Sequence, residues 1–200
     1  MELPTTIAGW LESGRRIAFD CGGVAFEQFR AADTGALYEI RNHPTVLPFM
    51  PSPEPLPYAR HLAWVESQLL AAGPASPLVV IGRAGGVPAA FALLKPGPHA
   101  GVLEVGVMAT GPWQRSTVAP GACGAMSTVA GRLFGAHTIV THANAGNRAS
   151  LLLNERCGLE RTNDSVKPGE IMFRVALDDL LTPAFRRWIG RARLRVLPPD

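Results

Sequence analysis

Glu104 lies near the start of an apolar stretch, Val102 to Met108, that is typical of a strand. Because successive side chains of a strand point to opposite faces, Glu104, Gly106 and Met108 share one face. A carboxylate at such a place can accept a proton from a reacting group, and it can equally form an ion pair at the surface of a sheet. Residue type and spacing leave both roles open.

The segment after this strand has the features of an anion site. A turn leads into a helix whose apolar stripe contains Val118, Ala122, Met126, Val129 and Leu133. The first turn of a helix offers unpaired backbone N–H groups and the positive end of the helix dipole, which attract phosphates. Pro120 has no N–H, but proline also stabilises a helix start. A phosphate site and a purely structural helix start both fit this pattern.

Asn147 and Ser150 begin a second short helix, which runs from Arg148 to Cys157 and is closed by Gly158. Asparagine is a common N-cap, because its side-chain oxygen accepts a hydrogen bond from the helix backbone. The same side chain can also bind a ligand at the helix start, so the two roles do not exclude each other.

The histidine and cysteine residues give little indication of a metal site or of a catalytic nucleophile. The five histidines show no metal-ligand spacing, and each is expected to be an ordinary surface or core residue: His43, His61, His99, His137 and His142. Cys123 and Cys157 fall on the apolar stripes of their helices, which favours buried side chains over nucleophiles. Three cysteines without CxxC spacing favour a reducing compartment.

The elements that position these residues alternate between strands and helices. Strands are predicted at 24–29, 78–81, 89–94, 102–108, 138–143 and 171–177. A short amphipathic helix is predicted over 5–15, ahead of the main fold. Further helices are predicted around 36–40 and 62–69, and at 118–133 and 148–157, with a proline-rich loop between 40 and 62. This order predicts a mixed α/β sheet with a helical crossover between neighbouring strands.

Composition and charge are those of a globular chain. The 200 residues are 47% apolar and 18% charged, with a net charge of +3. We expect an N-terminal extension over 1–23, a main domain over 24–180 and a basic C-terminal helix or tail over 181–200. The tail carries five arginines: Arg186, Arg187, Arg191, Arg193 and Arg195. Phe185, Trp188, Ile189 and Ala192 interleave with them at helical spacing, which favours packing on the domain over contact with nucleic acid.

Three blocks of the sequence resemble the GCN5-related N-acetyltransferases. The block from Glu104 to Ala119 resembles the central acyl-CoA motif of this family. The block from His142 to Arg161 is similar to the strand, asparagine-led helix and closing glycine that follow that motif. The block from Phe29 to Pro44 resembles the opening of the branch that contains ribosomal-protein N-terminal acetyltransferases. The blocks occur in the family's order and span about 24–177.

The resemblance implies an α/β (α+β) fold of the GNAT type, with a mixed, mostly antiparallel sheet, splayed central strands and helices on both faces. It implies an enzyme that transfers an acetyl group from acetyl-CoA directly to an amine, without a metal. By the same resemblance Glu104 is the catalytic residue, which takes the proton from the attacking ammonium. The residues implied to bind the cofactor are Val107, Met108, Ala109, Gln114, Arg115, Ser116, Thr117, Val118, Ala119, Asn147 and Ser150.

The sequence departs from the family pattern at four places. The family loop usually has glycine where this chain has Thr117 and, less strictly, Ala119, and it rarely has proline at the position of Pro120. Asn154 occupies the position of a tyrosine that many relatives use to protonate the leaving thiolate. The loop changes allow an alternative function, in which the chain is a non-catalytic module of the same fold that contacts protein or nucleic acid.

Several expectations concern partners and location. A peptide N-terminus, a lysine or a small-molecule amine could each be the acceptor, entering near residues 42–58. The absence of a signal peptide or a long apolar run predicts a cytoplasmic protein with no membrane partner. Nucleic acid is the less favoured partner, and a homodimer is left open.

Overall fold

A computed structural model describes residues 4–50, 52–71, 73–162, 167–177 and 193–199. Their strands form one sheet of nine, in the order β7-β8-β6-β5-β4-β3-β2-β1-β9. The strands are β1 Arg16–Cys21, β2 Val24–Gln28, β3 Leu78–Ala84, β4 Val87–Pro96, β5 Val102–Ala109, β6 Thr138–Asn144, β7 Glu160–Arg161, β8 Glu170–Ala176 and β9 Arg195–Leu197. The α-helices are α1 Ile7–Glu12, α2 Thr34–Arg41, α3 Tyr58–Val65, α4 Val118–Phe134 and α5 Arg148–Arg156.

The sheet is antiparallel at every pairing except that of β5 with β6, which run parallel. The long helix α4 connects these two strands, since parallel neighbours need a crossover. Their pairing extends only from Val102↔Thr138 to Glu104↔Val140, whereas β5 continues to Ala109 and β6 to Asn144. The two central strands therefore diverge after Glu104.

Side chains on the two faces of the sheet pack into two separate apolar cores. Val80, Ala92 and Val105 belong to the larger core, which also contains the buried side of α4. Val79 and Phe91, which point the other way, belong to a smaller core with Leu37 and Ile40 of α2 and Val65 of α3. Helices thus cover both faces, and the predicted mixed, mostly antiparallel sheet with splayed central strands is confirmed.

The described chain contains every strand and helix predicted between residues 5 and 177 and adds three strands that the sequence analysis did not predict, β1, β7 and β9. β1 pairs with β2 through the turn at Gly22 and Gly23, so residues 16–21 belong to the same sheet as the strands after Val24. The predicted helix before it is α1, whose Trp10 is fully buried and donates from Nε1 to Gln28 Oε1 at 3.1 Å. Residues ahead of Val24 are therefore packed into the domain.

Most of the predicted basic tail lies outside the described residues, including Arg186, Arg187, Arg191 and the apolar residues Phe185, Trp188, Ile189 and Ala192. The described end of the tail is a strand: β9 pairs with β1, and Arg195 forms an ion pair of 3.1 Å with Asp20. In the described parts of the chain, no helix is long and apolar enough to span a membrane.

Candidate active site

A cavity of about 640 Å³ lies where β5 and β6 separate, between the start of α4 and the start of α5. Nine of the eleven residues predicted to bind a cofactor line it: Val107, Met108, Ala109, Gln114, Arg115, Ser116, Ala119, Asn147 and Ser150. Segments that are far apart in the sequence therefore meet at one site. Thr117, Val118 and Glu104 are not among the lining residues.

The edge of β5 supplies one wall of the cavity. Val107, Met108 and Ala109 pair with β4 on one side, but the β6 side of this segment has no strand partner among the described residues. An exposed strand edge can bind an extended, amide-containing ligand through backbone hydrogen bonds. The pantetheine arm of coenzyme A is such a ligand, so this wall fits it.

The start of α4 supplies a second wall with free donors. The N–H of Val118 donates to Ser116 Oγ at 3.1 Å, and Pro120 has no N–H. Within the described chain the N–H groups of Thr117 and Ala119 donate to no residue. Two backbone donors therefore remain at the positive end of a 17-residue helix, which suits a phosphate group.

The side chain of Thr117 lies away from the cavity and against the turn between β1 and β2. A Cβ built on Gly22 would lie 2.9 Å from Thr117 Oγ1 and 2.9 Å from Cγ2 of Val118. Val118 itself is fully buried in the larger core. The side chains of Thr117 and Val118 are thus placed at the β1–β2 turn and in the core, and neither residue is among those that line the cavity.

Asn147 performs the predicted capping role at α5 while lining the cavity. Its Oδ1 accepts a hydrogen bond of 3.1 Å from the N–H of Ser150. The side-chain amide nitrogen has no hydrogen-bond partner among the described residues and is left as a donor. The N-cap and the ligand role are compatible in this geometry.

Further lining residues were missed by the sequence analysis. Arg156 of α5 lines the cavity together with Arg115, so two cationic side chains border the same space. Val46, Phe49 and Met50 line it from the proline-rich loop between α2 and α3. Val46, Phe49 and Met50 lie within the 42–58 segment that was expected to admit the acceptor, which is the one sequence signal for them.

Glu104 lies at the point where the central strands part. Its Oε1 lies 3.0 Å from Lys95 Nζ of β4 and 3.3 Å from His142 Nδ1 of β6. The ion-pair alternative is therefore present, but with a second partner that does line the cavity, namely His142. Nε2 of His142 is buried and has no hydrogen-bond partner among the described residues, and the same holds for Nδ2 of Asn154.

The cysteines do not contribute a nucleophile. Burial raises the pKa of the Cys21 thiol to about 12, that of Cys123 to about 12 and that of Cys157 to about 11. The thiolate is the reactive form, so these side chains are inert near neutral pH. Among the described residues there is no group of three or more His, Cys, Asp or Glu that could hold a metal.

Comparison with known proteins adds a family and a set of folds. Residues 24–160 match the family model described as acetyltransferase (GNAT) domain. No curated protein sequence matches the chain. RimJ of Mycobacterium smegmatis in complex with CoA-disulfide is 13% identical, with a TM-score of 0.67 over 90% of this chain and 96% of that one.

Two further structures share the fold. Spermidine N-acetyltransferase from Vibrio cholerae, in complex with CoA and spermine, is 10% identical with a TM-score of 0.68, over 81% of this chain and 100% of that one. The protein yncA of Salmonella typhimurium, solved with its cofactor acetyl-CoA, is 21% identical with a TM-score of 0.59, over 80% and 97% of the two chains. At these identities the structures establish the fold alone.

Proposed function

The chain belongs to the acetyltransferase (GNAT) family and is an acyl-CoA-dependent N-acetyltransferase, and we propose that it moves an acetyl group from acetyl-CoA directly to an amine at the cavity between β5 and β6. The observation that carries this proposal is the parting of the two strands after Glu104, beside a helix start with two free N–H donors. One gap thus offers a strand edge for an amide-containing arm and a phosphate site at its end.

Each wall has a part in holding the cofactor. The N–H groups of Thr117 and Ala119 would donate to the pyrophosphate, and the guanidinium groups of Arg115 and Arg156 would add positive charge. The edge formed by Val107–Ala109 would bind the pantetheine arm, and the free amide N–H₂ of Asn147 would donate from the opposite side. When bound, the thioester supplies the acetyl group.

Glu104 is the carboxylate that serves proton removal, either directly or through a neighbouring group. An amine is mostly protonated near neutral pH and becomes a nucleophile only after it loses a proton. Glu104 is on the same face of β5 as Met108, which lines the cavity. Its negative charge lies close to the point where β5 and β6 part. There it would attract a proton that the ammonium group of the acceptor releases.

The acceptor enters from the side of α2 and α3. Val46, Phe49 and Met50 line the cavity there, and Met108 packs against the core under those helices. An apolar rim suits an amine carried on a carbon chain or on a peptide. Among the relatives, one is named for spermidine acetylation and one belongs to the RimJ type, which the opening block of this sequence resembles. Polyamines and peptide N-termini are therefore the first acceptors to test.

Cofactor binding is the decisive measurement. Native mass spectrometry with acetyl-CoA should show one molecule bound, and CoA should raise the melting temperature. A ligand bound only by the folded state adds about 2.7 kcal/mol at a hundredfold excess over Kd. An unchanged melting curve in millimolar CoA, with no bound mass, would exclude the proposal and support a non-catalytic module instead.

An acceptor screen follows once binding is established. Release of free thiol from acetyl-CoA is measured with spermine, with lysine and with peptides that have a free N-terminus. Activity with one class and not with the others assigns the substrate class. Binding of acetyl-CoA without thiol release for any amine would separate the cofactor site, which would then stand, from the proposed transfer, which would not.

A further inference from the structure

Four apolar side chains line the cavity on the side of α2 and α3, and we call them the acceptor wall: Val46, Phe49, Met50 and Met108. Val46 is buried, and Met108 packs against the smaller core beneath the two helices. Phe49 differs from both, because it is 41% exposed although it is large and apolar. An exposed aromatic ring at the edge of a cavity offers apolar area that a ligand can bury.

Hydrogen bonds hold the loop that carries Phe49. The side chain of Asn42 accepts a hydrogen bond of 2.8 Å from the N–H of Leu56 and donates one of 3.1 Å to the carbonyl oxygen of the same residue. Between them, Thr45 Oγ1 accepts a hydrogen bond of 2.9 Å from the N–H of Gly111. The exposed ring is thus presented by an anchored loop, so a ligand that binds it has less of the chain to order.

The charges around the cavity oppose an acceptor with several ammonium groups. In the described chain no Asp or Glu lines the cavity, whereas Arg115 and Arg156 do. Glu104, which contacts the lining residue His142, is already paired with Lys95 Nζ at 3.0 Å. Each further ammonium group of a polyamine would lose water here without gaining a carboxylate partner, which costs free energy. The lining therefore favours an acceptor with one charge.

We propose that the acceptor is a singly charged primary amine joined through a short linker to a bulky apolar group, and that the acceptor wall binds this group against Phe49. This inference rests on the proposed function and narrows its acceptor. An arylalkylamine and a peptide N-terminus with a large apolar first side chain share this chemistry. In the transfer the amine nitrogen bonds to the acyl carbon as the carbon–sulfur bond breaks. The ammonium loses two protons, of which one ends on the thiol of CoA and the other in solvent.

Four acceptors test the selectivity of the wild type. Thiol release from acetyl-CoA is measured with phenethylamine, with spermine, and with two peptides that differ only in a phenylalanine or a glycine as first residue. The best apolar acceptor should exceed spermine and the glycine peptide at least about tenfold in kcat/KM. Phenethylamine as the best substrate assigns a small amine, and the phenylalanine peptide assigns a peptide N-terminus. Spermine or the glycine peptide as the best substrate overturns the inference.

Phe49→Glu replaces the exposed ring by a carboxylate and should change the preference. kcat/KM should fall about tenfold or more for phenethylamine, which loses its apolar contact, and should rise about twofold to fivefold for spermine, which gains a charge partner. Val87→Glu is the matched control, since Val87 is 65% exposed and does not line the cavity. The control should behave as wild type with both amines, and CoA affinity should stay within about twofold in both variants. Equal changes for the two amines in Phe49→Glu overturn the inference.

A binding measurement separates this inference from the proposed function. Calorimetry, with and without CoA, gives the Kd of the neutral product N-acetylphenethylamine for the wild type, Phe49→Glu and Val87→Glu. The Kd should rise about tenfold in Phe49→Glu alone. If the wild type binds CoA but acetylates no amine, the proposed transfer fails, and this binding result alone decides the inference. No binding by the wild type, or an equal Kd in Phe49→Glu, overturns it.

Discussion

The side-chain amide of Gln114 donates a hydrogen bond of 2.7 Å to the backbone carbonyl of Thr45. Thr45 also accepts a hydrogen bond of 2.9 Å at Oγ1 from the N–H of Gly111. These two bonds tie the loop that carries Val46 and Phe49 to the segment just ahead of α4. The wall proposed for the acceptor and the wall proposed for the cofactor are thus directly connected.

Gln114→Leu should therefore weaken the use of the amine rather than the binding of CoA. Loss of one such hydrogen bond is worth about 1 kcal/mol, which corresponds to roughly a fivefold rise in the KM of the amine. CoA affinity, measured by calorimetry, should stay within about twofold. Gln68→Leu, at an exposed site outside the cavity, is the matched control. A weaker CoA affinity with an unchanged KM would instead assign the Gln114 side chain to the cofactor.

A second relationship, between Gly22 and Thr117, places the threonine side chain against the turn between β1 and β2. Gly22 has a φ of +58°, and a Cβ there would meet Thr117 Oγ1 and Val118 Cγ2 at 2.9 Å. Gly23 also has a positive φ, of +81°, but open space around it. The two glycines differ in contacts while sharing the backbone requirement, so they form a matched pair.

Gly22→Ala should destabilise the fold more than Gly23→Ala and should also weaken CoA binding. Both variants incur about 1–2 kcal/mol for a left-handed alanine, but only the first pushes on the start of α4. Urea unfolding and CoA calorimetry measure the two effects. Thr117→Gly in the Gly22→Ala background should recover part of both losses, whereas Thr117→Gly alone should leave CoA affinity nearly unchanged. Equal effects of the two glycine variants would show that the contact has no energetic role.

The outline of the fold could be predicted from local pattern, because strands β2 to β6 and helices α4 and α5 each carry their own periodicity. β1 is not among the predicted strands, although Gly22-Gly23 between two apolar segments is a hairpin signal that fits its pairing with β2. β9 pairs with β1 from the other end of the chain, and nothing within residues 195–197 indicates that partner.

Features of the candidate site that depend on one segment could be predicted from the sequence. Features that depend on contacts between distant segments could not. Asn147 caps its helix through residues three positions apart, so its role is local. The Thr117 side chain lies beside Gly22, which is 95 positions earlier, and His142 of β6 contacts Glu104 of β5. Such long-range contacts leave no periodic trace in a single sequence.

Substitution of Asn147 can separate its two roles. Asn147→Asp keeps the oxygen that accepts from Ser150 and places a negative charge at a helix start, so stability should be equal or slightly higher. The aspartate lacks the amide donor and repels phosphate, so CoA affinity should fall roughly tenfold or more. Asn147→Ala should lose both, including about 1 kcal/mol of stability. If Asn147→Asp binds CoA as the wild type does, the residue is a cap only.

The last prediction concerns the buried His61, whose Nε2 lies 3.0 Å from the carbonyl oxygen of Thr34. Burial lowers the pKa of His61, and nearby Arg41 lowers it further, while the contact with Thr34 acts in the opposite direction. The folded protein therefore holds His61 neutral at a pH where the unfolded chain, with an ordinary pKa of about 6.5, already binds a proton.

The sign of the effect follows from this difference in bound protons. Stability is complete above about pH 6.5 and declines as pH falls from there toward the lower pKa of the folded state, by at most about 1.4 kcal/mol per pH unit. Urea unfolding at intervals between about pH 5 and about pH 8 measures the slope, and this window stays above the range in which carboxylates titrate. His61→Gln should be less stable near pH 8 but should show a flatter profile, whereas exposed His99→Gln should keep the wild-type slope. A slope that persists in His61→Gln would assign the acid sensitivity to another group.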